Sequence, residues 1–281
     1  MERYQTTEAV QRALREDLSL GDVTTTGLIP RDLTGRGMII ANEEGLLAGI
    51  DVAREVFCRI DPALTFQCQV SDGARLTLKT VIASIEGRLC SILSGERVAL
   101  NFLQHLSGIA TLTARYVTAV ADTKARILDT RKTIPGLRYL AKYAVIIGGG
   151  KNHRKCLGDG VLIKENHITA CNKAGMDLPA IIKQMKSKAP HTLQVEIEVR
   201  TSAEAGKAAE AGADIILLDN MSLEEMEKAV SLVAGRALVE ASGGIILENV
   251  RAVAATGVDL ISIGALTHSA KALDISLEIM S

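Results

Sequence analysis

The chain of 281 residues is poor in aromatic side chains: it has no tryptophan, and aromatic residues make up 2% of the sequence. Its core must therefore be aliphatic, and apolar residues account for 47% of the chain. The scarcity of aromatic faces argues against single-stranded nucleic acid as a partner, because bases in such complexes stack on aromatic rings. Charge argues the same way, since 32 Lys and Arg residues are balanced by 33 Asp and Glu residues.

Long apolar runs and paired cysteines are also missing. No stretch approaches about 18 consecutive apolar residues, and the polar start of the sequence has no apolar signal region. We therefore expect a soluble, cytoplasmic protein without a membrane partner. The five cysteines are odd in number and include no Cys-x-x-Cys pair, so neither a disulfide framework nor a zinc site is predicted.

Residues 1–110 are predicted to form an N-terminal α/β domain. A helix is expected over Glu8–Leu18, and strand-like runs follow at Gly37–Ala41, Leu64–Val70 and Thr80–Glu86, separated by turns that contain Gly and Asp. The alternation of short strands with turns is typical of a small sheet domain.

An amphipathic helix is predicted to begin at Ser94, because Val98, Phe102 and Leu106 recur at helical spacing after it. Arg97 would then lie in the first turn, where acidic side chains are usual. Two interpretations stay open for this arginine. Its side chain reaches solvent, or it faces an anion together with the helix start.

Residues 111–266 are predicted to form an α/β barrel domain, and residues 267–281 a C-terminal helix that packs on the N-terminal domain. Short apolar runs are separated mostly by helical stretches, and the later runs advance by 20 to 22 residues, the length of a minimal βα unit. A barrel is favoured over an open dinucleotide-binding sheet, since no Gly-x-Gly-x-x-Gly follows a first strand. The seven runs are Arg126–Asp129, Ala144–Ile147, Val161–Lys164, Gln194–Val199, Asp214–Asp219, Ala237–Ser242 and Asp259–Gly264.

Polar side chains stand at the ends of these runs, which converge on one face of a barrel, where active sites are built. Lys164 ends one run, and it can be an anion ligand, a Schiff-base nucleophile or a structural ion-pair partner. Glu196, Glu198 and Asp219 can bind sugar hydroxyls, hold Mg²⁺ through water, stabilise a cationic transition state or simply balance charge. Glycines in Ala241–Gly244 and Ile263–Ala265 allow a phosphate cradle after the last two strands.

A basic cluster occupies the middle of this otherwise neutral chain. Such a local concentration of cations suits a small, highly anionic ligand that carries carboxylates or phosphates. Its members are Arg131, Lys132, Arg138, Lys151, His153, Arg154, Lys164 and His167.

Together, these motifs closely resemble the quinolinate phosphoribosyltransferase family over essentially the whole chain. The resemblance implies an α/β fold: an incomplete seven-stranded (β/α) barrel with an N-terminal α/β sandwich domain. It implies Mg²⁺-dependent transfer of phosphoribosyl from phosphoribosyl pyrophosphate to quinolinate, with decarboxylation to nicotinate mononucleotide. The segments that carry it include Gly95–Asn101, Asp129–Thr133, Gly148–Arg154, Leu162–Ile168, Glu196–Val199, Leu218–Met221, Ala241–Ile245 and Gly264–Ser269.

The resemblance also implies residue roles. Lys164, Glu198 and Asp219 are expected to be catalytic, with Mg²⁺ held near the two carboxylates through pyrophosphate and water; no direct side-chain ligand of Mg²⁺ is predicted. A homodimer, or a hexamer of dimers, is expected, in which Arg97 completes the neighbouring site. The substrate-binding residues expected are Arg97, Thr130, Arg131, Lys132, His153, Arg154, Lys164, Glu198, Asp219, Ser242, Gly243, Gly244, Ile263, Gly264 and Ala265.

One position departs from the family pattern, and several other functions stay open. Cys156 stands where the family usually has glycine, which matters if the loop needs a positive φ there. Other functions are a phosphoribosyltransferase for nicotinate or another nitrogen base, and a molybdenum-associated relative. A Schiff-base aldolase using Lys164 and a non-enzymatic anion-binding protein are mechanistically different alternatives.

Overall fold

The computed structural model of the protein describes residues 3–280, which divide into two units. The first comprises the described residues up to Ala114, the segment Thr133–Gly149 and the described residues from Leu266 onward. The second comprises Arg115–Lys132 and Gly150–Ala265. The predicted continuous barrel domain over 111–266 therefore did not anticipate that an internal segment belongs to the first unit.

Helices and strands alternate along most of the chain. The helices are α1 Arg3–Asp17, α2 Val23–Leu28, α3 Ile50–Ile60, α4 Leu89–Ala119, α5 Arg138–Ile147, α6 Glu165–Lys173, α7 Leu178–Lys188, α8 Ser202–Glu210, α9 Leu223–Val233, α10 Val250–Ala255 and α11 Ala265–His268. The strands are β1 Thr34–Ala41, β2 Gly45–Leu46, β3 Thr65–Cys68, β4 Arg75–Leu76, β5 Val81–Arg88, β6 Arg126–Leu128, β7 Val161–Ile163, β8 Val195–Val199, β9 Ile215–Asp219, β10 Leu238–Ser242, β11 Leu260–Ser262 and β12 Ile275–Met280.

The first unit contains a four-stranded antiparallel sheet with the order β12-β1-β5-β3. The strands predicted at Gly37–Ala41, Leu64–Val70 and Thr80–Glu86 correspond to β1, β3 and β5, and the helix predicted over Glu8–Leu18 corresponds to α1. The buried side chains of this unit are mainly aliphatic, in keeping with the scarcity of aromatic residues.

The prediction of a C-terminal helix over 267–281 is wrong. After the short helix α11, the chain enters β12, which pairs antiparallel with β1 along Arg36–Ala41. Apolar and polar residues alternate through most of Ile275–Met280, which is the period of a strand rather than of a helix. Ser281 lies outside the described residues.

The prediction that Ser94 caps the start of a helix is also wrong, because α4 begins earlier, at Leu89. The buried side chain of Ile92 extends the apolar face of the helix toward its N-terminus. Ser94 instead donates a hydrogen bond of 2.9 Å to Asp22 Oδ2. Arg97 therefore lies inside the helix, beyond the first turn where the helix dipole favours an anion.

The run Ala144–Ile147, predicted as a strand, is the last part of helix α5. Buried residues of this helix, such as Leu140 and Ala144, recur at the spacing of one helix face. A Cβ atom at the following Gly148 would lie 2.5 Å from the carbonyl oxygen of Ala110. This close backbone approach explains why the segment belongs to the first unit.

The second unit contains a six-stranded parallel sheet with the order β6-β11-β10-β9-β8-β7. A further parallel bridge joins Lys151 to Leu128 of β6. Six of the seven predicted barrel runs are strands of this sheet, whereas Ala144–Ile147 is not. Helices connect most successive strands, as the spacing of the runs predicted.

Two aspartates at the starts of strands explain the repeated Gly-Ala-Asp and Gly-Val-Asp motifs. Asp214 Oδ2 accepts a hydrogen bond of 2.8 Å from the backbone N–H of Val195, in the preceding strand. Asp259 Oδ2 accepts one of 2.9 Å from the N–H of Val239 in the same way. Each carboxylate therefore closes the amino end of one strand of the sheet.

Within residues 3–280, no helix has the length and apolar character needed to cross a membrane.

We expect Asp259→Ala to lower the free energy of unfolding by about 1–3 kcal/mol, since it leaves the buried Val239 N–H without its acceptor. It also removes an ion pair of 2.7 Å between Asp259 and Lys124. Urea denaturation measures the change. Asp122→Ala is the control, because it removes only an exposed ion pair with Arg251, a loss of less than about 1 kcal/mol. Equal losses in the two variants would contradict the strand-closing role of Asp259.

Candidate active site

A cavity of about 280 Å³ lies at the carboxyl ends of the parallel strands in the second unit. It combines cationic side chains with carboxylates and hydroxyls on one surface. Its lining residues are Thr130, Arg131, Lys132, His153, Arg154, Leu162, Lys164, Glu198, Leu217, Asp219, Ser242 and Ser262. We call it the upper cavity.

The upper cavity brings together most of the residues that the sequence singled out. Gly243 and Gly244 follow β10, and Ile263–Ala265 follows β11, so these residues lie at the same edge of the sheet without lining the cavity. Arg97 belongs to the first unit, where its side chain is 59% exposed. The predicted residues that do line it are Thr130, Arg131, Lys132, His153, Arg154, Lys164, Glu198, Asp219 and Ser242.

Strand β8 shows how side chains are divided between the two faces of the sheet. Val195, Ile197 and Val199 are buried on one face. Glu196 and Glu198 therefore point to the opposite face, because successive strand residues alternate. Glu198 is closer to the carboxyl end and lines the upper cavity, whereas Glu196 lies one layer deeper.

Neighbouring strands set the polar residues side by side. Ser242 of β10 is opposite Asp219 of β9 and opposite Ser262 of β11. Ser262 Oγ donates a hydrogen bond of 3.0 Å to Ser242 Oγ. A carboxylate and two hydroxyls therefore form one row across three strands, which suits the recognition of sugar hydroxyls.

Glycine is required directly after β10. Gly243 has a φ of +89°, and a Cβ atom there would collide with the side-chain amide of Asn220. The backbone N–H of Asn220 donates a hydrogen bond of 2.9 Å to the carbonyl oxygen of Ser242. The turn is therefore narrow and exposes backbone rather than side chain, as a phosphate cradle needs.

Asp129 holds the loop that carries His153. Its carboxylate is fully buried, and Oδ1 accepts a hydrogen bond of 2.8 Å from the backbone N–H of His153. The N–H of Asp129 donates to the carbonyl oxygen of Lys151 at 3.1 Å. The sequence marked Asp129 as a strand-end residue, but its role in holding this loop was not predicted.

Two arginines concentrate positive charge in the upper cavity. Burial lowers the pKa of Arg154, the nearby charge of Arg131 lowers it further, and the charge of Glu196 opposes both effects. Arg154 nevertheless stays charged, because arginine is too basic to lose its proton in a protein. Arg154 Nη1 also donates to the carbonyl oxygen of Gly160 at 3.1 Å, which fixes its direction.

Cys156 does not distort this loop. The described non-glycine residues with positive φ are Lys79, Asn220 and Ala234, so Cys156 has a backbone conformation that any residue adopts. The departure from the family's glycine therefore introduces no backbone strain.

A deeper cluster joins His153 to two buried carboxylates. His153 Nε2 lies 3.1 Å from Glu196 Oε2 and 3.8 Å from Glu240 Oε1. The Glu240 side chain is 1% exposed. Burial raises its pKa to about 7, and the charge of Glu196 adds to the rise, while His153 and Ser262 lower it. Glu240 was not predicted, although the alternation in Leu238–Ser242 places it on the same face as Ser242.

The hydrogen bonds of His153 argue against a metal ion in this cluster. The three donor atoms lie within 4.8 Å of one another. However, His153 Nδ1 accepts a hydrogen bond of 2.7 Å from the backbone N–H of Arg154. The ring proton therefore sits on Nε2, which faces the carboxylates as a donor and has no lone pair for a metal.

A second cavity of about 530 Å³, the lower cavity, lies at the amino ends of the same strands. Glu196 and Glu240 line the lower cavity and not the upper one, whereas His153 and Arg154 line both. The two carboxylates therefore lie behind the cationic surface of the upper cavity.

The sequence matches a known protein family over most of its length. The sequence matches the family description "Quinolinate phosphoribosyl transferase, C-terminal domain" over residues 109–278 and the corresponding N-terminal domain over residues 22–107.

The chain belongs to the quinolinate phosphoribosyltransferase family.

Relatives in this family are similar over nearly the whole chain. A probable nicotinate-nucleotide pyrophosphorylase (carboxylating) of Bacillus subtilis is 41% identical, with 99% of this chain and 95% of the relative aligned. A quinolinate phosphoribosyltransferase (decarboxylating) of Nicotiana tabacum is 42% identical, with 98% and 83% aligned. The crystal structure of NadC from Streptococcus pyogenes has a TM-score of 0.94 at 43% identity, covering 100% of this chain and 99% of that one. The chain is thus an enzyme of the phosphoribosyltransferase class.

Lys164 does not match the Schiff-base alternative. Its residue is exposed at the end of β7, and the family to which the chain belongs is one of phosphoribosyltransferases rather than of aldolases.

Glu240→Gln should make the stability of the protein less dependent on pH. The native state keeps a proton on Glu240 up to about pH 7, whereas an unfolded carboxyl releases it near the ordinary value of 4.5. The stability of the wild type therefore falls as pH rises through this interval, because the unfolded chain binds fewer protons. We expect the variant to lose less stability than the wild type between about pH 5 and pH 8, by on the order of 2–3 kcal/mol.

Urea denaturation at a series of pH values measures this slope. Glu210→Gln is the control, because the Glu210 side chain is 72% exposed. It should keep the slope of the wild type. A Glu240→Gln slope equal to that of the wild type would show that Glu240 does not carry the native-state proton.

Proposed function

We propose that this enzyme transfers the phosphoribosyl group of phosphoribosyl pyrophosphate to the ring nitrogen of quinolinate, with loss of the adjacent carboxylate. The products are nicotinate mononucleotide, CO₂ and pyrophosphate, and the reaction belongs to NAD biosynthesis. The observation that carries the proposal is the upper cavity, where cationic side chains and two carboxylates line one surface. The names of the aligned relatives support the same substrate.

The density of cations favours a dicarboxylate over a monocarboxylate. Arg131 and Arg154 provide planar forks that match carboxylates, and both line the upper cavity together with His153. Lys132 and Lys164 are exposed on the same cavity and suit the phosphates of the second substrate. Nicotinate has one carboxylate and would make fewer contacts with these side chains.

Charge also explains the transfer step. The lone pair of the ring nitrogen forms a bond to C1 of the sugar as the C1–O bond breaks, and pyrophosphate leaves with that electron pair. Positive charge develops on the sugar in between. Glu198 and Asp219 line the cavity and stabilise that charge, while the lysines hold the leaving group.

Loss of the carboxylate follows from the new charge on the ring. The ring nitrogen becomes positive when it is bonded to the sugar. The bond from C2 to its carboxylate then breaks, CO₂ leaves, and the electron pair stays on C2 beside the positive nitrogen. A proton from solvent completes nicotinate mononucleotide.

The residues at the carboxyl end of the sheet fit a magnesium-dependent reaction. Glu198 and Asp219 offer carboxylate oxygens, which are the ligands that Mg²⁺ prefers, and they would hold it through water beside the pyrophosphate. When bound, Mg²⁺ would neutralise part of the charge on the leaving group. The 5-phosphate of the sugar would bind at the backbone of Ser242–Gly244 and Ile263–Ala265, where glycines permit close approach.

Purified protein should form pyrophosphate and nicotinate mononucleotide from quinolinate, phosphoribosyl pyrophosphate and Mg²⁺. Lys164→Ala and Arg131→Ala should each lower kcat/KM by a factor of about a hundred or more, since they remove charge-assisted contacts to an anion. Lys183→Ala is the control, because Lys183 is an exposed residue of α7 that does not line the upper cavity.

Parallel assays with nicotinate separate the other functions. Turnover of nicotinate but not of quinolinate would replace the proposal by a monocarboxylate enzyme. Ligand binding without pyrophosphate release would favour a binding protein, and no interaction with either acid would favour a molybdenum-associated relative. Wild-type activity in Lys164→Ala would remove the upper cavity from the reaction.

We also propose that the active form is a homodimer or a hexamer of dimers in which Arg97 reaches the upper cavity of a second copy. Arg97 is exposed on α4, and its contact of 3.9 Å with the adjacent Glu96 is too long for a hydrogen bond. Its guanidinium is thus available to an anion held by another copy.

Mixing two inactive variants tests this arrangement. Arg97→Ala and Lys164→Ala homodimers should both be inactive, but a mixed dimer contains one site with both residues intact. We therefore expect co-refolded or co-expressed subunits to recover about a quarter of the wild-type activity, by random assortment of subunits. No recovery in a verified mixed dimer would place both residues in the same copy's site.

A further inference from the structure

We infer that Glu196 and Glu240 are positioning residues, which act through His153 and Arg154 to orient the dicarboxylate-binding surface of the upper cavity. The kinetic consequences of this inference rest on the proposed function. Its structural part concerns the orientation of the His153 ring and the position of the ring proton, and it does not rest on the proposed function.

His153 is held at three points, one on its backbone and two on its ring. Its backbone N–H donates to Asp129 Oδ1 at 2.8 Å, which fixes the main chain. Nδ1 accepts the N–H of Arg154 at 2.7 Å, which fixes the tautomer with the proton on Nε2. Nε2 then donates to Glu196 Oε2 at 3.1 Å. A ring held in this way presents one face and one edge to the cavity instead of turning freely.

The carboxylates have no direct access to a ligand in the upper cavity. Glu196 and Glu240 line only the lower cavity, and their side chains are 5% and 1% exposed. Glu196 Oε1 and Glu240 Oε1 accept no hydrogen bond from any described residue. An effect of either residue on substrate binding must therefore pass through residues that reach both layers, which are His153, Arg154 and, for Glu240, also Ser262.

Arg154 is the second route. The charge of Glu196 raises the pKa of Arg154, against the effects of burial and of Arg131. Glu196 is therefore close enough to attract this guanidinium toward the lower cavity. The same guanidinium donates a hydrogen bond of 3.1 Å to the carbonyl oxygen of Gly160. His153 and Arg154, the two side chains proposed to face the dicarboxylate, thus both interact with the buried carboxylate of Glu196.

Glu240 adds a dependence on pH to this surface. The groups that face it are Glu196, His153 and the Ser262 hydroxyl. Other charged residues on the lower cavity are Arg126, Lys151, Arg154 and Asp159. A protonated Glu240 leaves Glu196 as the single negative partner of the ring, whereas an ionised Glu240 adds a second negative charge 3.8 Å from Nε2. Ionisation therefore draws the Nε2–H of His153 inward, and Arg154, whose backbone N–H donates to Nδ1 of that ring, moves with it away from a carboxylate above.

Kinetics at several pH values test the substrate side. Glu196→Gln should raise KM for quinolinate about tenfold, a loss of the size that follows removal of the outer partner of a metal-bound histidine. KM for phosphoribosyl pyrophosphate should stay within about twofold of the wild type, because the groups that interact with Glu196, namely His153 and Arg154, are those assigned to the dicarboxylate. In the wild type, KM for quinolinate should rise above about pH 7, and this rise should be absent in Glu240→Gln. Glu210→Gln is the surface control.

Nuclear magnetic resonance of the histidine side chains tests the structural side without any turnover. Protein labelled with ¹⁵N has five histidines, and His153→Asn identifies the signals of His153. We expect the Nε2–H tautomer, and a change in its chemical shifts near pH 7 in the wild type that is lost in Glu240→Gln. The wild-type titration gives this answer even if a variant does not fold.

The outcomes separate the two proposals. Absence of quinolinate turnover with the expected His153 signals would remove the proposed function and keep the buried network. An Nδ1–H tautomer, or His153 signals and quinolinate KM unchanged in both carboxylate variants, would overturn the positioning role. Equal rises in KM for both substrates would also overturn it, because they would indicate a general loss of structure.

Discussion

The alternation of side chains along parallel strands is the constraint on which the site depends. In β8 this period turns Val195, Ile197 and Val199 to the apolar side and leaves Glu196 and Glu198 on the other. A register shift of one residue would exchange the two sets and bury the cavity face against helices. The aspartates that close the amino ends of the strands fix that register, since they bind backbone groups of the adjoining strand.

Opposite charges are layered by depth in the second unit. Cations such as Arg131 and Arg154 line the upper cavity, and Glu196 and Glu240 lie behind them. An anionic ligand in the upper cavity therefore contacts positively charged side chains. The buried carboxylates balance part of that positive charge when no ligand is bound. Because electrostatic interactions are stronger where water is excluded, Glu196 and Glu240 affect the charged side chains of the upper cavity at short range.

Local patterns predicted much of this protein, and tertiary context explains what they missed. The βα spacing predicted the parallel strands, and the strand-end positions of Lys164, Glu198 and Asp219 predicted the upper cavity. The apolar run Ala144–Ile147 fits a strand or a buried helix equally well by composition, and its packing decided for a helix. Glu240 was missed because an isolated acid among apolar residues gives no signal until the fold brings it close to Glu196, which lies two strands away in the sheet.

Stability alone does not account for Glu240. An apolar residue of similar size at a buried strand position is often neutral or stabilising compared with a buried charged group. Glu240 instead shares its interior with Glu196, and their repulsion adds to the effect of burial in raising its pKa to about 7. Its Oε1 atom lies 3.8 Å from His153 Nε2, and an aliphatic side chain cannot place a titratable group there. The unfavourable burial of Glu240 is therefore consistent with a role in orienting His153 and in setting the charge at the upper cavity.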